Sequence, residues 1–309
     1  MRKQGILIVG SANMDLVATL DRYPRPGETL FGKSFGMFPG GKGANQAVCC
    51  ARLGGRVRFI GKMGRDVFRN AVVRQMRWAG VDMRHLLIDD SVSTGIALIT
   101  LDRTGQNEIV VVSGSNMRLT PADVRRARTA FSAACIVVCQ LEIPLPTVAE
   151  TIRLAKAHGA VTLLNPAPAR ALPAALLRNV DYLTPNETEA EILTGVRVTD
   201  ERSAEGAARI LRRDGVGTVI VTLGRRGCLM VGPDGMEQVP AFRVRSVDTT
   251  AAGDAFSGGF AFALAQGKAV REAIEFASAV AACSVMRLGA QTSMPSLRDV
   301  RHFLARHSK

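Results

Sequence analysis

A chain of 309 residues that is 47% hydrophobic carries enough apolar material for a substantial core, which excludes a disordered chain; its length fits one large α/β domain with an appendage, or two domains. The formal net charge of +13 is mostly arginine, spaced as on helix faces at Arg65, Arg69, Arg74 and Arg77. With aromatics at 5%, dispersed charges and no nucleic-acid motif, these read as solvated faces that suit anionic substrates, and a nucleic-acid partner is not expected.

After Arg2 and Lys3, the apolar run from Gly5 to Gly10 is too short for a signal peptide or a membrane span. It predicts a buried first strand and, by default, a cytoplasmic protein. Asn13 and Asp15 follow with one residue between them, so an extended chain projects both to one face. An amide and a carboxylate side by side can bind vicinal hydroxyls, and the carboxyl end of a strand is where open α/β sheets place ligands. A capped turn is the plainer alternative. Residues 15–38 show no helical period, with Tyr23-Pro24-Arg25-Pro26-Gly27-Glu28 between extended segments.

Gly36 to Gly43 nearly satisfies a Walker A phosphate loop but has Gly43 where the magnesium-binding Ser or Thr belongs, and Pro39 stiffens it, so a P-loop nucleoside triphosphatase is rejected. The glycines of Gly40-Gly41-Lys42-Gly43 suit close approach of backbone to a polyhydroxylated substrate, with Asn45 presenting an amide at the start of the next helix; a tight strand-to-helix turn is the alternative.

A β/α rhythm runs through the rest of the chain. Strand-like runs at Ile6–Val9, Val57–Ile60, Ile136–Val138, Val161–Leu164 and Val219–Thr222 alternate with helical stretches at Gly43–Leu53, Val67–Ala79, Thr147–His158, Glu187–Leu193 and Ser203–Arg213. This predicts parallel crossovers and a sheet covered on both faces. Thr94–Leu101 and Glu108–Val112 flank a turn-rich loop and read as a hairpin outside the rhythm. Glu142 ends a strand before prolines, Asn186 is placed to cap a helix, and Thr222-Leu223-Gly224 leads into a glycine turn closed by Gly227. The six cysteines show no metal-ligand spacing and read as buried free thiols. Two C-terminal helices are expected over residues 269–286 and 296–306.

The most informative stretch is Asp248-Thr249-Thr250-Ala251-Ala252-Gly253-Asp254-Ala255-Phe256-Ser257-Gly258-Gly259, ahead of an apolar helical run. Small residues at a helix start let backbone amides approach an anion, and the helix dipole favours negative charge there. Asp254 in that first turn suits taking a proton from a hydroxyl while the amides stabilise a transferring phosphoryl group; an ordinary acidic first turn is the alternative.

That stretch, with Gly40 to Ala47, Asn165 to Arg170, Thr184 to Glu189 and Thr222-Leu223-Gly224, resembles the ordered signature motifs of the ribokinase (PfkB-type) family of sugar kinases, over about Ile6 to Pro295. The resemblance implies a three-layer α/β fold, a single domain over residues 1–309, with a small β-sheet lid from residues 15–38 and 94–112 over the sugar site. It implies transfer of the ATP γ-phosphoryl group to the 5-hydroxyl of D-ribose, with deoxyribose, another sugar or a nucleoside as alternative acceptors, or a non-catalytic sugar-binding regulator. By resemblance Asn13, Asp15, Gly41, Lys42, Asn45, Glu142 and Asp254 match the sugar site; Asn186, Thr222, Gly224, Gly227 and Gly253 would contact ATP; Asp254, Gly253 and Ala252 form the catalytic centre. Mg2+ would accompany ATP, and a monovalent cation such as K+ matches Asp248, Thr250, Ser284, Arg287, Gly289 and Ser293. A homodimer through the lid is also implied. Ser278, Ser113 and Cys49-Cys50 depart from the usual family pattern: Ser278 puts the adenine contacts in question, and oxidation of the cysteine pair is expected to perturb the helix behind the sugar site.

Overall fold

The computed structural model describes residues 5–104 and 106–307; Arg2, Lys3 and the loop residue Gly105 lie outside the described residues. Its strands are β1 (Gly5–Val9), β2 (Asn13–Thr19), β3 (Ser34–Gly40), β4 (Arg56–Gly64), β5 (Asp82–Asp89), β6 (Gly95–Leu101), β7 (Asn107–Val112), β8 (Ala134–Cys139), β9 (Val161–Leu164), β10 (Tyr182–Leu183), β11 (Thr218–Thr222), β12 (Cys228–Gly232) and β13 (Gly235–Val239). Nine of them form one sheet in the order β13-β12-β11-β10-β9-β8-β1-β4-β5. Pairing is parallel from β5 to β11, and β12 and β13 extend that edge antiparallel.

The alternation within the central strands explains the layering. Ile6 and Ile8 point into one apolar cluster and Leu7 and Val9 into the other; Ile136 and Val138 face the first, and Val137 and Cys139 the second. A strand buried on both faces has no polar side to show, as its near-continuous apolar run predicts. Helices Lys42–Arg52, Ala252–Ala265 and Val270–Val285 cover one face, and helices Leu145–Ala157 and Glu201–Arg213 the other.

The small residues of the Ala252–Ala265 helix serve packing as well as any ligand. A Cβ on Gly258 would lie 2.8 Å from the Cys49 Cβ, so the helix can settle onto Lys42–Arg52 only without one. That contact brings Asn45 and Gln46 against Asp254. Cys49 and Cys50 are fully buried in the same seam, and their thiols donate to the Ala255 and Gly258 carbonyls. Burial pushes Cys50 up to about 12 and Cys49 well above the usual thiol range. The expectation that oxidation acts here is corrected: protonated, shielded thiols are poor oxidant targets.

The two segments outside the rhythm meet in a second sheet, ordered β3-β2-β6-β7. Its β2 pairs antiparallel with β3 (Asp15 opposite Phe38) and parallel with β6 (Asn13 opposite Gly95), and β6–β7 is the expected hairpin. Among the described residues no helix is long and apolar enough to cross a membrane.

Candidate active site

Chain order takes β1 out to β4 and β5 on one side, and the sheet resumes with β8 on the other. The carboxyl ends of β1 and β8 therefore diverge into a crevice, the place where open α/β sheets bind ligands. Residues leaving these strands meet there. Ser11 Oγ donates to Glu142 Oε2, and the Lys42 amide donates to the same oxygen at 3.0 Å.

The start of the Lys42–Arg52 helix is closed to phosphate. Its Lys42, Gly43, Ala44 and Asn45 amides donate to Glu142, Ser11 Oγ, the Ser11 carbonyl and the Gly41 carbonyl. All its free donors are spent on protein acceptors, which agrees with the rejection of a P-loop. Gly41 caps this helix at φ 87°, and a Cβ there would lie 2.7 Å from the Asn13 amide nitrogen. The observed close approach at Gly41 is thus to the chain's own β2.

Asn13 and Asp15 lie on one face of β2, as their spacing predicts. Asn13 is buried, and its Oδ1 accepts from Asn116 Nδ2 at 2.6 Å, while Asn116 Oδ1 accepts from the Ala12 amide at 3.0 Å. This fixes the Asn13 amide with Nδ2 left as its free donor. Asn116 has no local sequence signal for this task; its contact spans more than a hundred residues. Asp15 is half-buried, and burial first, then the Glu142 and Asp254 carboxylates, push its carboxyl up to about 7. Lys42 sits among the same acids: burial pulls its ammonium down, but Asp254, Glu142 and Glu189 together hold it above the usual lysine range.

Asp254 is 4% exposed in the first turn of Ala252–Ala265. Its Oδ2 accepts from Asn45 Nδ2 and its Oδ1 from Gln46 Nε2, both at 2.9 Å. Asn45 is therefore turned towards Asp254, and its own Oδ1 is buried without a hydrogen-bond partner among the described residues. The helix has no side-chain cap; it begins at Ala251, the one non-glycine residue among those described with positive φ, at 59°. This turn sends the Ala252 amide back to the Thr249 carbonyl at 3.2 Å. The Gly253 and Asp254 amides make no hydrogen bond among the described residues, and the space beside Gly253 is open. The available anion donors thus begin one residue later than Ala252.

Beyond Gly253 opens a cleft of about 780 Å³ whose lining includes Asn186, Thr222, Gly224, Gly227, Gly253 and Ser278, so the residues expected to hold the nucleotide share one cavity. Phe242, Val244, Ala281 and Val285 supply an apolar wall. The Asn186 side chain is committed to capping: it accepts from the Glu189 amide at 2.8 Å, while Glu189 Oε2 accepts from the Asn186 amide at 2.9 Å. Burial raises the Glu189 carboxyl, which lies within the fields of Lys42 and Asp254.

The six cation candidates divide. Asp248 Oδ1 accepts from the Thr250 amide at 2.9 Å and Oδ2 from the Gly289 amide at 2.8 Å, tying the 248–250 turn to the 284–293 loop. Despite partial burial these bonds hold the Asp248 carboxyl below its usual range. Ser284 and Ser293 are buried and paired at 2.8 Å. The Arg287 side chain departs from the group and meets Asp299 at 3.4 Å. The remaining donors are all oxygens, carboxylate, hydroxyl and carbonyl, which fits a hard cation and no soft metal.

The pfkB family carbohydrate kinase model matches residues 3–297. The chain is 41% identical over 300 residues to a ribokinase of Staphylococcus aureus, covering 96% of this chain and 98% of that protein. It is 39% identical over 301 residues to a deoxyribokinase of Salmonella typhi, covering 97% and 98%. A solved Arabidopsis thaliana ribokinase, complexed with ribose and ATP, superposes with a TM-score of 0.93 at 32% identity, covering 98% of this chain and 99% of that one. Open helix-start amides beside a buried carboxylate, a nucleotide-sized cleft and this full-length match agree: the chain belongs to the pfkB family of carbohydrate kinases and is an ATP-dependent sugar kinase.

Proposed function

We propose that the chain transfers the γ-phosphoryl group of MgATP to the primary 5-hydroxyl of D-ribose, giving ribose 5-phosphate and ADP. The observation that carries this reading is the position of Asp254, between the cluster of Asn13, Asp15, Lys42 and Glu142 and the open amides at the mouth of the cleft. The sugar hydroxyls pair with Asn13 Nδ2, Asp15 and Glu142. Asp254 accepts the 5-hydroxyl proton as that oxygen forms its bond to the γ-phosphorus, and the bond from phosphorus to the ADP oxygen breaks with its electron pair. The Gly253 and Asp254 amides stabilise the charge on the transferring group. Proton transfer runs late, as the attacking hydroxyl acidifies in the transition state. Asp248, Thr250, Ser284, Gly289 and Ser293 would hold a K+ ion, Arg287 contributing only its backbone; when bound, the ion adds positive potential beside the anion donors. MgATP as substrate sets the reaction in the cytoplasm.

Relatives named for ribose and for deoxyribose differ little in identity to this chain, so the acceptor is decided by assay. ADP release with MgATP and K+ is expected with ribose, faster than with 2-deoxyribose, fructose or nucleosides, and to fall when K+ is withdrawn. Preference for 2-deoxyribose would transfer the assignment to that sugar and keep the mechanism; ATP binding without turnover on any acceptor would favour a sugar-binding regulator.

The four-stranded sheet acts in this reading as a lid within one domain, since β2 supplies Asn13 and Asp15 from its N-terminal end. Phe35, Met37, Leu98, Val110 and Val112 are exposed on the face of it opposite Asn13 and Asp15, an apolar surface that a second lid covers in a homodimer. Light scattering is expected to give twice the 33.0 kDa chain mass, and a monomer at assay concentration would remove the dimer.

A further inference from the structure

Behind Asp254 lies a run of buried neutral amides. The fully buried Gln46 donates from Nε2 to Asp254 Oδ1 at 2.9 Å and to Asn165 Oδ1 at 3.1 Å, and its Oε1 accepts from Gln140 Nε2 at 2.5 Å. Asn165 Nδ2 donates to the Thr184 carbonyl at 3.2 Å. Gln140, Asn165 and Thr184 follow β8, β9 and β10, so the run crosses neighbouring strand ends beneath the Asp254 helix.

The donor and acceptor rules leave this run one direction. A carbonyl only accepts, so Thr184 draws Asn165 Nδ2 and leaves Asn165 Oδ1 facing Gln46. Gln46 must then present Nε2 to both Asn165 and Asp254. None of these groups titrates, so the order holds at any working pH. Asn45, on the other carboxylate oxygen, is not locked in this way: its Oδ1 has no partner among the described residues, and its amide is free to turn when a sugar hydroxyl arrives.

We propose that Gln46 is the positioning residue for the base: its direction set by Asn165 and its Oε1 held by the Gln140 donor, it pins Asp254 Oδ1, so that Oδ2 is the oxygen that faces the acceptor hydroxyl and takes its proton. This rests on Asp254 as the base. The proton moves from the hydroxyl to Oδ2 as the oxygen–phosphorus bond forms, and Oδ1 keeps its Gln46 bond throughout.

The test is a double-mutant cycle on the full-length protein. Gln46→Leu is expected to lower kcat about 10- to 100-fold, the scale of a lost hydrogen bond to a charged group, with both KM values within about threefold. Gln46→Glu keeps the shape but turns an acceptor on Asp254, and is expected to lose at least as much. In the Asp254→Asn background, Gln46→Leu is expected to change the residual rate less than about twofold. A Gln46→Glu enzyme with near-native kcat, or an equal Gln46→Leu loss in both backgrounds, overturns the proposal and leaves the base reading intact. Near-native kcat in Asp254→Asn alone overturns the base reading itself. If Gln46→Leu does not fold, Gln140→Met, which removes only the donor to Gln46 Oε1, is expected to lower kcat about 3- to 10-fold, the scale of a neutral hydrogen bond; an unchanged kcat there overturns the lock.

Discussion

Replacing Asp254 by asparagine is expected to lower kcat by about 10²- to 10⁴-fold, the range that a positioned general base contributes, while ATP binding survives. The substitution is isosteric and the local network can absorb it. The new carboxamide would point its oxygen at the locked Gln46 Nε2 and its NH2 at Asn45, whose Oδ1 is without a partner and can turn to accept. The fold therefore survives the loss of the charge, and the ATP cleft, bounded by Gly253 and not by the carboxylate, keeps its shape. Steady-state rates with ribose, together with ATP binding by calorimetry, separate the two quantities. A kcat within tenfold of native would show that no carboxylate at 254 takes the proton.

Asp15→Asn is expected to raise the sugar KM by about 10- to 100-fold, since hydrogen bonds to a charged group are lost. Its pH dependence is the sharper signature. Burial beside Glu142 and Asp254 pushes the Asp15 carboxyl up to about 7 in the free protein, and only the ionised form accepts at both oxygens with charge-assisted bonds. Sugar affinity in the native chain should thus rise as pH increases towards about 7 and level off above it; the asparagine variant should show no such rise.

Stability runs the other way. Between the ordinary aspartate value of 3.8 and about 7 the folded chain holds a proton that the unfolded chain has released, so this group withdraws stability as pH rises through that window. Asp15→Asn should therefore melt higher than the native protein above about pH 7 while binding sugar worse, because a buried uncompensated charge is gone. A native sugar KM that is flat over about pH 5.5 to 9 would remove Asp15 from the sugar hydroxyls, and a variant that melts lower at alkaline pH would remove the uncompensated buried charge.

The readable part of this protein was the part whose information is local. A strand buried on both faces must be apolar throughout, so Ile136-Val137-Val138 announced its place in the sheet. The period of two put Asn13 and Asp15 on one face before any partner was known, and small residues ahead of an apolar helix marked Gly253 and Asp254 as a helix start. Strands β5, β10, β12 and β13 lie outside the predicted runs; of these, the two-residue β10 and the largely polar edge strand β13 carry little periodic signal.

What the sequence alone determined was the α/β rhythm, the family and the candidate residues at element ends. Only the tertiary structure decided what those residues do to one another. Gln46, Gln140, Asn165 and Asn116 lie on different elements, and their roles exist only once glycine-rich helices pack close enough for hydrogen bonds to span 94 to 208 residues of chain. The same packing decided which helix start is open: Ser11 and Glu142 fill the amides at Lys42, and among the described residues no acceptor reaches those at Gly253. Periodicity reports which face a residue occupies; the partner it meets there is set by long-range contact, which no short window of sequence contains.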